Sequence, residues 1–380
     1  MRILFCLEYF PPHIGGVEQM MYDLTRALVQ EGHEVRIVTS RVEDTRAKET
    51  MDGVEVYRIR CPKPMRLTFN LLAIPALFRH APWADLIHCS TFNGVFPAWL
   101  VSRLRGKPLV GTVHEVWLHL PEVSPRVSWF MKKIYPLAQR VLLKRRVSRW
   151  VTVSWSTRQA LRLAGVSDDK IRQVYNPVDV RPPADWNDTR REVIRNKLNI
   201  GDRFAFLYFG RPGVWRGVEY LIRGFHLLPP DRKAVLILVL SRKPMSGYTL
   251  CQTLAERGDR NDTIFFQSSM PRGHLIETIL AADCVVVPSL SEGFGLIAAE
   301  ASSLGIPVLA SDVASLPEVV GGKSILVPPA DPEILQNAMV DAMEGRWDNR
   351  PPRNFPLKDT VLGYLEVYRE ILYGKYFRGE

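Results

Sequence analysis

The stretch SLSEGFGLIAAEASSLG, residues 289–305, sets two carboxylates, Glu292 and Glu300, eight positions apart, with Gly293, Phe294 and Gly295 directly after the first. Two such groups can act as acid and base, ligate a metal, or accept hydrogen bonds from sugar and ribose hydroxyls. Were both on one helix, the rise alone would separate them by roughly 12 Å. That is wide even for the roughly 6.5–9.5 Å of an inverting glycosidase. Side-chain reach and a loop position for Glu292 could close the gap, so spacing alone leaves a glycosidase open. A metal role is disfavoured, because the chain has no Asp-x-Asp and no histidine clusters with these acids. An ordinary amphipathic helix leaves the Gly293–Phe294–Gly295 run unexplained. A helix starting near Phe294 would instead aim its first amides, up to Leu296, at an anion.

Other candidates follow short apolar runs of strand length. Arg211 and Arg216 flank GRPGVWRG (210–217) after FAFLYFG. Guanidinium forks there suit a diphosphate and stabilise it as it departs. His114 closes LVGTVH, where its imidazole either packs inertly or bonds a substrate hydroxyl or phosphate. Gly15 and Gly16 precede the first helical segment, as a tight turn or as a close backbone approach to a phosphate or sugar. No Gly-x-Gly-x-x-Gly occurs, and the second strand ends in Thr39-Ser40 where an acid would hold the ribose, so a nicotinamide enzyme is not expected.

These residues need strand ends to hold them. RILFCL, HEVRIVTS, ADLIHCS, KPLVGTVHE and RWVTVS alternate with helical or loop segments, which predicts a parallel sheet covered on both faces. Residues 175–202 contain three prolines and many polar groups and read as a linker. The pattern then restarts through FAFLYFG, AVLILVL, TIFFQSS, CVVVPS and IPVLASD. A chain of 380 residues suits two such domains, 1–180 and 181–355. The tail, 356–380, carries Val361, Leu365, Tyr368 and Leu372 on one helical face and must dock, with the first domain as the expected place. Five scattered cysteines, none in a Cys-x-x-Cys pair, point to a reducing compartment. No signal peptide or spanning segment is apparent, so a cytoplasmic location is expected.

Taken in order, Gly-Gly-Val-Glu (15–18), Gly-Thr-Val-His (111–114), Tyr-Asn-Pro-Val-Asp (175–179), Gly-Arg with a second cation at 216, and Glu-Gly-Phe-Gly-Leu-x3-Glu-Ala (292–301) resemble family 4 retaining glycosyltransferases of the GT-B fold. The resemblance implies two Rossmann-like α/β domains facing a cleft, with a nucleotide-sugar held mainly by the second. It implies that Glu292 grips donor sugar hydroxyls, that amides of Gly293 to Leu296 serve sugar and diphosphate, and that Glu300 holds the ribose. Arg211 and Arg216 would neutralise the diphosphate in place of a metal ion, Gly16 would approach the donor, and His114 would bond the sugar near the reacting carbon. No cofactor and no protein nucleophile are implied. The family usually has Lys where this chain has Arg216. Ser268–Arg272 are expected to line the base pocket.

The net charge of +10 is concentrated in the first half. Residues 57–84 hold five Lys/Arg and residues 126–150 hold eight, with no acid in either. Within 128–149, Phe130, Ile134, Leu137 and Val141 form a stripe bordered by Lys133, Arg140 and Lys144. One reading is an ordinary surface helix. The other is peripheral attachment to an anionic membrane carrying a lipid-linked acceptor, which a polysaccharide could replace. No nucleic-acid reader motif is visible. Outside the transferases, a nucleotide-sugar epimerase or hydrolase of similar fold, or a non-catalytic nucleotide-sugar binding module, would present the same residues.

Overall fold

The computed structural model describes residues 1–13, 15–63, 65–116 and 129–374. Contacts divide the chain into two units. The first takes residues up to Pro177 together with the segment from Phe355, and the second takes Val178–Asn354.

The first unit is built on an eight-stranded sheet. Its strands are β1 (Arg2–Leu7), β2 (Glu34–Ser40), β3 (Lys48–Met51), β4 (Val54–Ile59), β5 (Leu86–Ser90), β6 (Leu109–Val113), β7 (Arg149–Thr152) and β8 (Ile171–Gln173), in the order β3-β4-β2-β1-β5-β6-β7-β8. All neighbours are parallel except β3 and β4. Strand alternation sends Ile3, Phe5 and Leu7 into the core on one face and Leu4 and Cys6 into the core on the other. Helix α1 (Gly16–Gln30) lies on the first face. The opposite face is covered by α2 (Met65–His80), α3 (Thr91–Arg105), α4 (Trp129–Leu143) and α5 (Trp155–Leu163).

The second unit has a seven-stranded sheet. Its helices are α6 (Asp188–Lys197), α7 (Val218–His226), α8 (Met245–Glu256), α9 (Arg272–Ala281), α10 (Leu296–Ser303), α11 (Leu316–Val319) and α12 (Pro332–Met343). Strands β9 (Phe204–Gly210), β10 (Ala234–Leu240), β11 (Ile264–Ser268), β12 (Cys284–Val287), β13 (Val308–Ser311), β14 (Gly322–Val327) and β15 (Asp348–Arg350) run in the order β11-β10-β9-β12-β13-β14-β15. Only β15 is antiparallel to its neighbour. Strand order reverses between β9 and β12 here, and between β1 and β5 in the first unit. Doubly wound sheets bind ligands beyond the strand ends at such points.

The last helix, α13 (Leu357–Tyr373), belongs to the first unit and packs beside α1. It buries Val361, Tyr364, Leu365, Val367 and Tyr368 there. A helix of this length is marginal alone, whereas each buried large side chain contributes about 1.5–3 kcal/mol. Docking therefore supplies its stability.

Three features depart from the sequence expectation. The polar stretch 175–202 contains α6, capped by the Asn187 side chain, which accepts from Arg190 N at 2.9 Å. Its hold on the second unit is ionic: Arg191 and Arg195 reach Asp283 at 2.7 and 3.0 Å. An apolar-periodicity reading is blind to a helix anchored by arginines. The hairpin β3–β4 and the short strand β8 were likewise not anticipated. Finally, the helix after β12 begins at Leu296 rather than near Phe294, with Gly295 as its N-cap.

Candidate active site

In the second unit, the two loops at the point of strand reversal are locked together. The loop after β9 carries Arg211 and Arg216, and the loop after β12 carries Glu292. Leu290 N donates to the Trp215 carbonyl at 2.8 Å. Gly217 sits at φ +64°, and a Cβ there would lie 1.8 Å from the Pro288 carbonyl oxygen, so only glycine permits this approach. The hydroxyl of Tyr208 donates to the Arg211 carbonyl at 3.2 Å and braces the strand exit from below.

Glu292 is only 7% exposed. One carboxylate oxygen takes a hydrogen bond from Arg216 and another from Ser289 Oγ at 3.0 Å. Ser315 Oγ donates to the Glu292 backbone carbonyl at 3.0 Å. Main chain and side chain of Glu292 are thus both fixed. Gly295 follows at φ +92°, where Leu316 approaches to 2.7 Å of a would-be Cβ, and α10 starts from it. That left-handed turn lets the chain leave the Glu292 loop and enter a helix at once.

Glu300, one turn into α10, is 8% exposed and receives Arg272 Nη2 at 2.7 Å. Burial raises the pKa of its carboxyl, and Arg272 opposes the rise. Each carboxylate has its own arginine, so the two do not pair with one another. Glu292 lies outside the helix, and the helical rise does not set their separation.

In the first unit, Gly15 and Gly16 lie at the N-terminal end of α1, with Gly15 as its extended N-cap. His114 directly follows β6 and is buried. Its Nε2 meets Ser90 Oγ at the end of β5, at 3.0 Å, and its buried Nδ1 has no hydrogen-bond partner among the described residues. Burial lowers its pKa to about 4, and Glu18 in the first turn of α1 pulls weakly the other way. His114 is therefore a neutral imidazole at neutral pH, with one nitrogen available to a hydrogen-bonding ligand. One layer deeper, His88 bridges Tyr368 OH and Thr112 Oγ1, both at 2.7 Å, and Thr112 Oγ1 also meets Tyr364 OH at 3.0 Å. The last helix thus joins a buried polar ladder one residue pair below His114.

Ser90, Ser289 and Ser315 are supporting residues that spacing did not single out. Ser90 and Ser289 do sit at or just past strand ends, and that position was the available signal. Arg272 fell within the segment expected at the base pocket, but its bond to Glu300 did not.

The comparisons decide the family. The profile described as Glycosyltransferase Family 4 matches residues 14–181, and that described as Glycosyl transferases group 1 matches residues 190–354. This chain belongs to the group 1, family 4 glycosyltransferases. An uncharacterized glycosyltransferase of Methanocaldococcus jannaschii is 28% identical over 376 residues, covering 90% of this chain and 93% of the relative. Sucrose-phosphate synthase from Thermosynechococcus elongatus superposes with a TM-score of 0.81 at 22% identity, over 98% of this chain and 100% of the other. The Anabaena protein HepE, solved with UDP and glucose, gives 0.75 at 19% identity, over 97% and 100%. The fold of this glycosyltransferase is GT-B, as its motifs implied, and the chain is an enzyme of glycosyl transfer.

Proposed function

We propose that this glycosyltransferase moves a hexose from a nucleotide-diphosphate sugar to a lipid-linked or polysaccharide acceptor in cell-envelope glycan or glycolipid synthesis, with retention at the anomeric carbon and without a metal ion or other cofactor. The observation that carries the reading is the pair of buried, arginine-held carboxylates at the strand reversal of the second unit. Glu292 and Glu300 then bind donor sugar and ribose hydroxyls. Arg211 and Arg216 face the diphosphate, as do the amides of Gly293 to Leu296 at the start of α10. Gly15 and Gly16 are donor-binding residues in this reading, and HepE, a structural relative, was solved with UDP and glucose.

The chemistry falls to charge placement. As the bond from anomeric carbon to phosphate oxygen breaks, negative charge grows on the diphosphate. Fixed guanidinium groups stabilise that charge without reorganising. Neutral His114 hydrogen-bonds a sugar oxygen near the reacting carbon without adding positive charge beside a developing oxocarbenium. The leaving phosphate receives the acceptor's proton on the same face, so no protein nucleophile is required. The two site acids, each bound to its own arginine, fit ligand gripping better than acid/base work.

The acceptor reading rests on charge. The segment 126–150 is the proposed contact with an anionic membrane on the cytoplasmic side; residues 126–128 of it lie outside the described residues. Of its described residues, Arg140, Lys144 and Arg146 are exposed, whereas Arg149 is committed to Glu370 at 2.7 Å. Among the described residues, no helix is long and apolar enough to span a membrane. No nucleic-acid partner is proposed.

The test is product stereochemistry. With a nucleotide-sugar, an acceptor lipid and a metal chelator present, the anomeric proton of the product should show the configuration of the donor. Inversion, dependence on added metal, or hydrolysis and epimerisation without any acceptor would each overturn this reading.

A further inference from the structure

Helix α2 is apolar on both sides. Its inner side packs Phe69, Ala73 and Leu77 into the core. Its outer side carries Leu67, Leu71, Leu72, Pro75 and Phe78, all exposed, with Arg79 as the one polar residue among the described exposed positions. Leu67 and Leu71 are 70% and 65% exposed, which is unusual for leucines one helical turn apart on a surface helix. A helix apolar all round is ordinarily enclosed by protein or by lipid.

The surroundings indicate which. None of α2, α3 and α4, which share this face of the sheet, contains an Asp or Glu. Exposed Arg60 and Lys63 precede α2. Arg103 and Arg105 are exposed at the end of α3, and the Arg105 guanidinium lies 3.5 Å from the Phe78 ring centroid. Among these three helices and the turn before α2, every charged residue is therefore a cation. A second copy of this face would set those cations against each other, whereas an anionic lipid surface neutralises them and takes up the leucines.

We propose that α2 is the element that enters the membrane: the enzyme docks on an anionic bilayer by burying Leu67, Leu71, Leu72 and Phe78 among the acyl chains, while the cations at either end of the stripe contact the headgroups. The inference deepens the membrane contact proposed for 126–150 and rests on that reading only for the choice of anionic lipid. It assigns the apolar part of the binding to a different helix, with α4, whose Ile134, Leu137 and Val141 are also exposed, on the same face of the sheet.

The test is co-sedimentation with vesicles of equimolar phosphatidylglycerol and phosphatidylcholine. The wild-type chain should bind these and bind phosphatidylcholine alone far less. The L67Q/L71Q variant should lose about tenfold or more in partitioning, with its thermal stabilisation by a nucleotide-sugar unchanged. Wild-type vesicle binding by this variant would overturn the proposal. If R140E/K144E abolishes binding while L67Q/L71Q keeps it, the 126–150 contact stands and the α2 assignment fails. If sedimentation equilibrium shows a wild-type dimer that L67Q/L71Q converts to monomer, the stripe is a protein interface and the proposal is wrong.

Discussion

Arg216→Met should lower the turnover of nucleotide release by about two to three orders of magnitude, whereas Arg216→Lys should stay within about tenfold of the parent. The guanidinium has two tasks in the proposed scheme. It holds the buried Glu292 carboxylate, together with Ser289. With donor bound, it would face the departing diphosphate. Methionine keeps much of the bulk and removes both functions, leaving the buried Glu292 carboxylate with the neutral Ser289 hydroxyl and without the guanidinium that balances its charge. Lysine is the residue the family usually places here. It restores the charge but not the planar fork, so placement suffers more than stabilisation. Steady-state kinetics separates the two, since loss of transition-state stabilisation lowers kcat while loss of uniform donor binding raises KM. A methionine variant with parental kcat would remove Arg216 from the chemistry. A thermal-unfolding control distinguishes that result from simple destabilisation.

The second large effect is on stability. The first unit should weaken steeply as the pH falls below about 6.5. Burial lowers His88 to about 3 and His114 to about 4. In the unfolded chain both take up protons near the ordinary value, so between these limits the unfolded state binds more protons than the folded one. Stability is therefore fully present above the unfolded value and is lost as the pH falls towards the folded values. Each histidine contributes a slope of about 1.4 kcal/mol per pH unit, so the pair removes about 4 kcal/mol by about pH 5. Thermal unfolding as a function of pH reads this directly. His88→Gln, which can still bond Tyr368 and Thr112 but cannot titrate in this range, should roughly halve the slope. An unfolding midpoint flat across this interval, or a slope untouched by the substitution, would show that the ladder is not buried as described. The same numbers imply that activity should carry no limb from His114 near neutrality.

Much of the fold was legible because its elements advertise themselves. Strands such as AVLILVL, buried at every position, are uninterrupted apolar runs, and α13 carries a clear apolar stripe. What escaped was held by charge or pairing rather than by apolar pattern. Helix α6 is fixed by arginines reaching Asp283, and β3 exists because it pairs with β4. At the candidate site, the rule that ligands meet strand ends brought Arg211, Arg216 and Glu292 onto adjoining loops. It could not reveal that each carboxylate has its own arginine, because Arg272 reaches Glu300 from a different strand–helix junction. The α2 surface was hidden for a related reason. Its composition reads as core, and only the packing of Phe69, Ala73 and Leu77 shows which leucines are left outside.

The central claim is that the arginine-held carboxylates of the second unit bind a nucleotide-diphosphate sugar. Isothermal titration of a panel of such sugars, with chelator present, tests it on the wild-type chain and on Glu300→Ala. One donor should bind the wild-type chain without metal, and Glu300→Ala should weaken that binding by about tenfold or more through loss of the ribose hydroxyl bonds. Equal affinity in the two proteins would contradict the account.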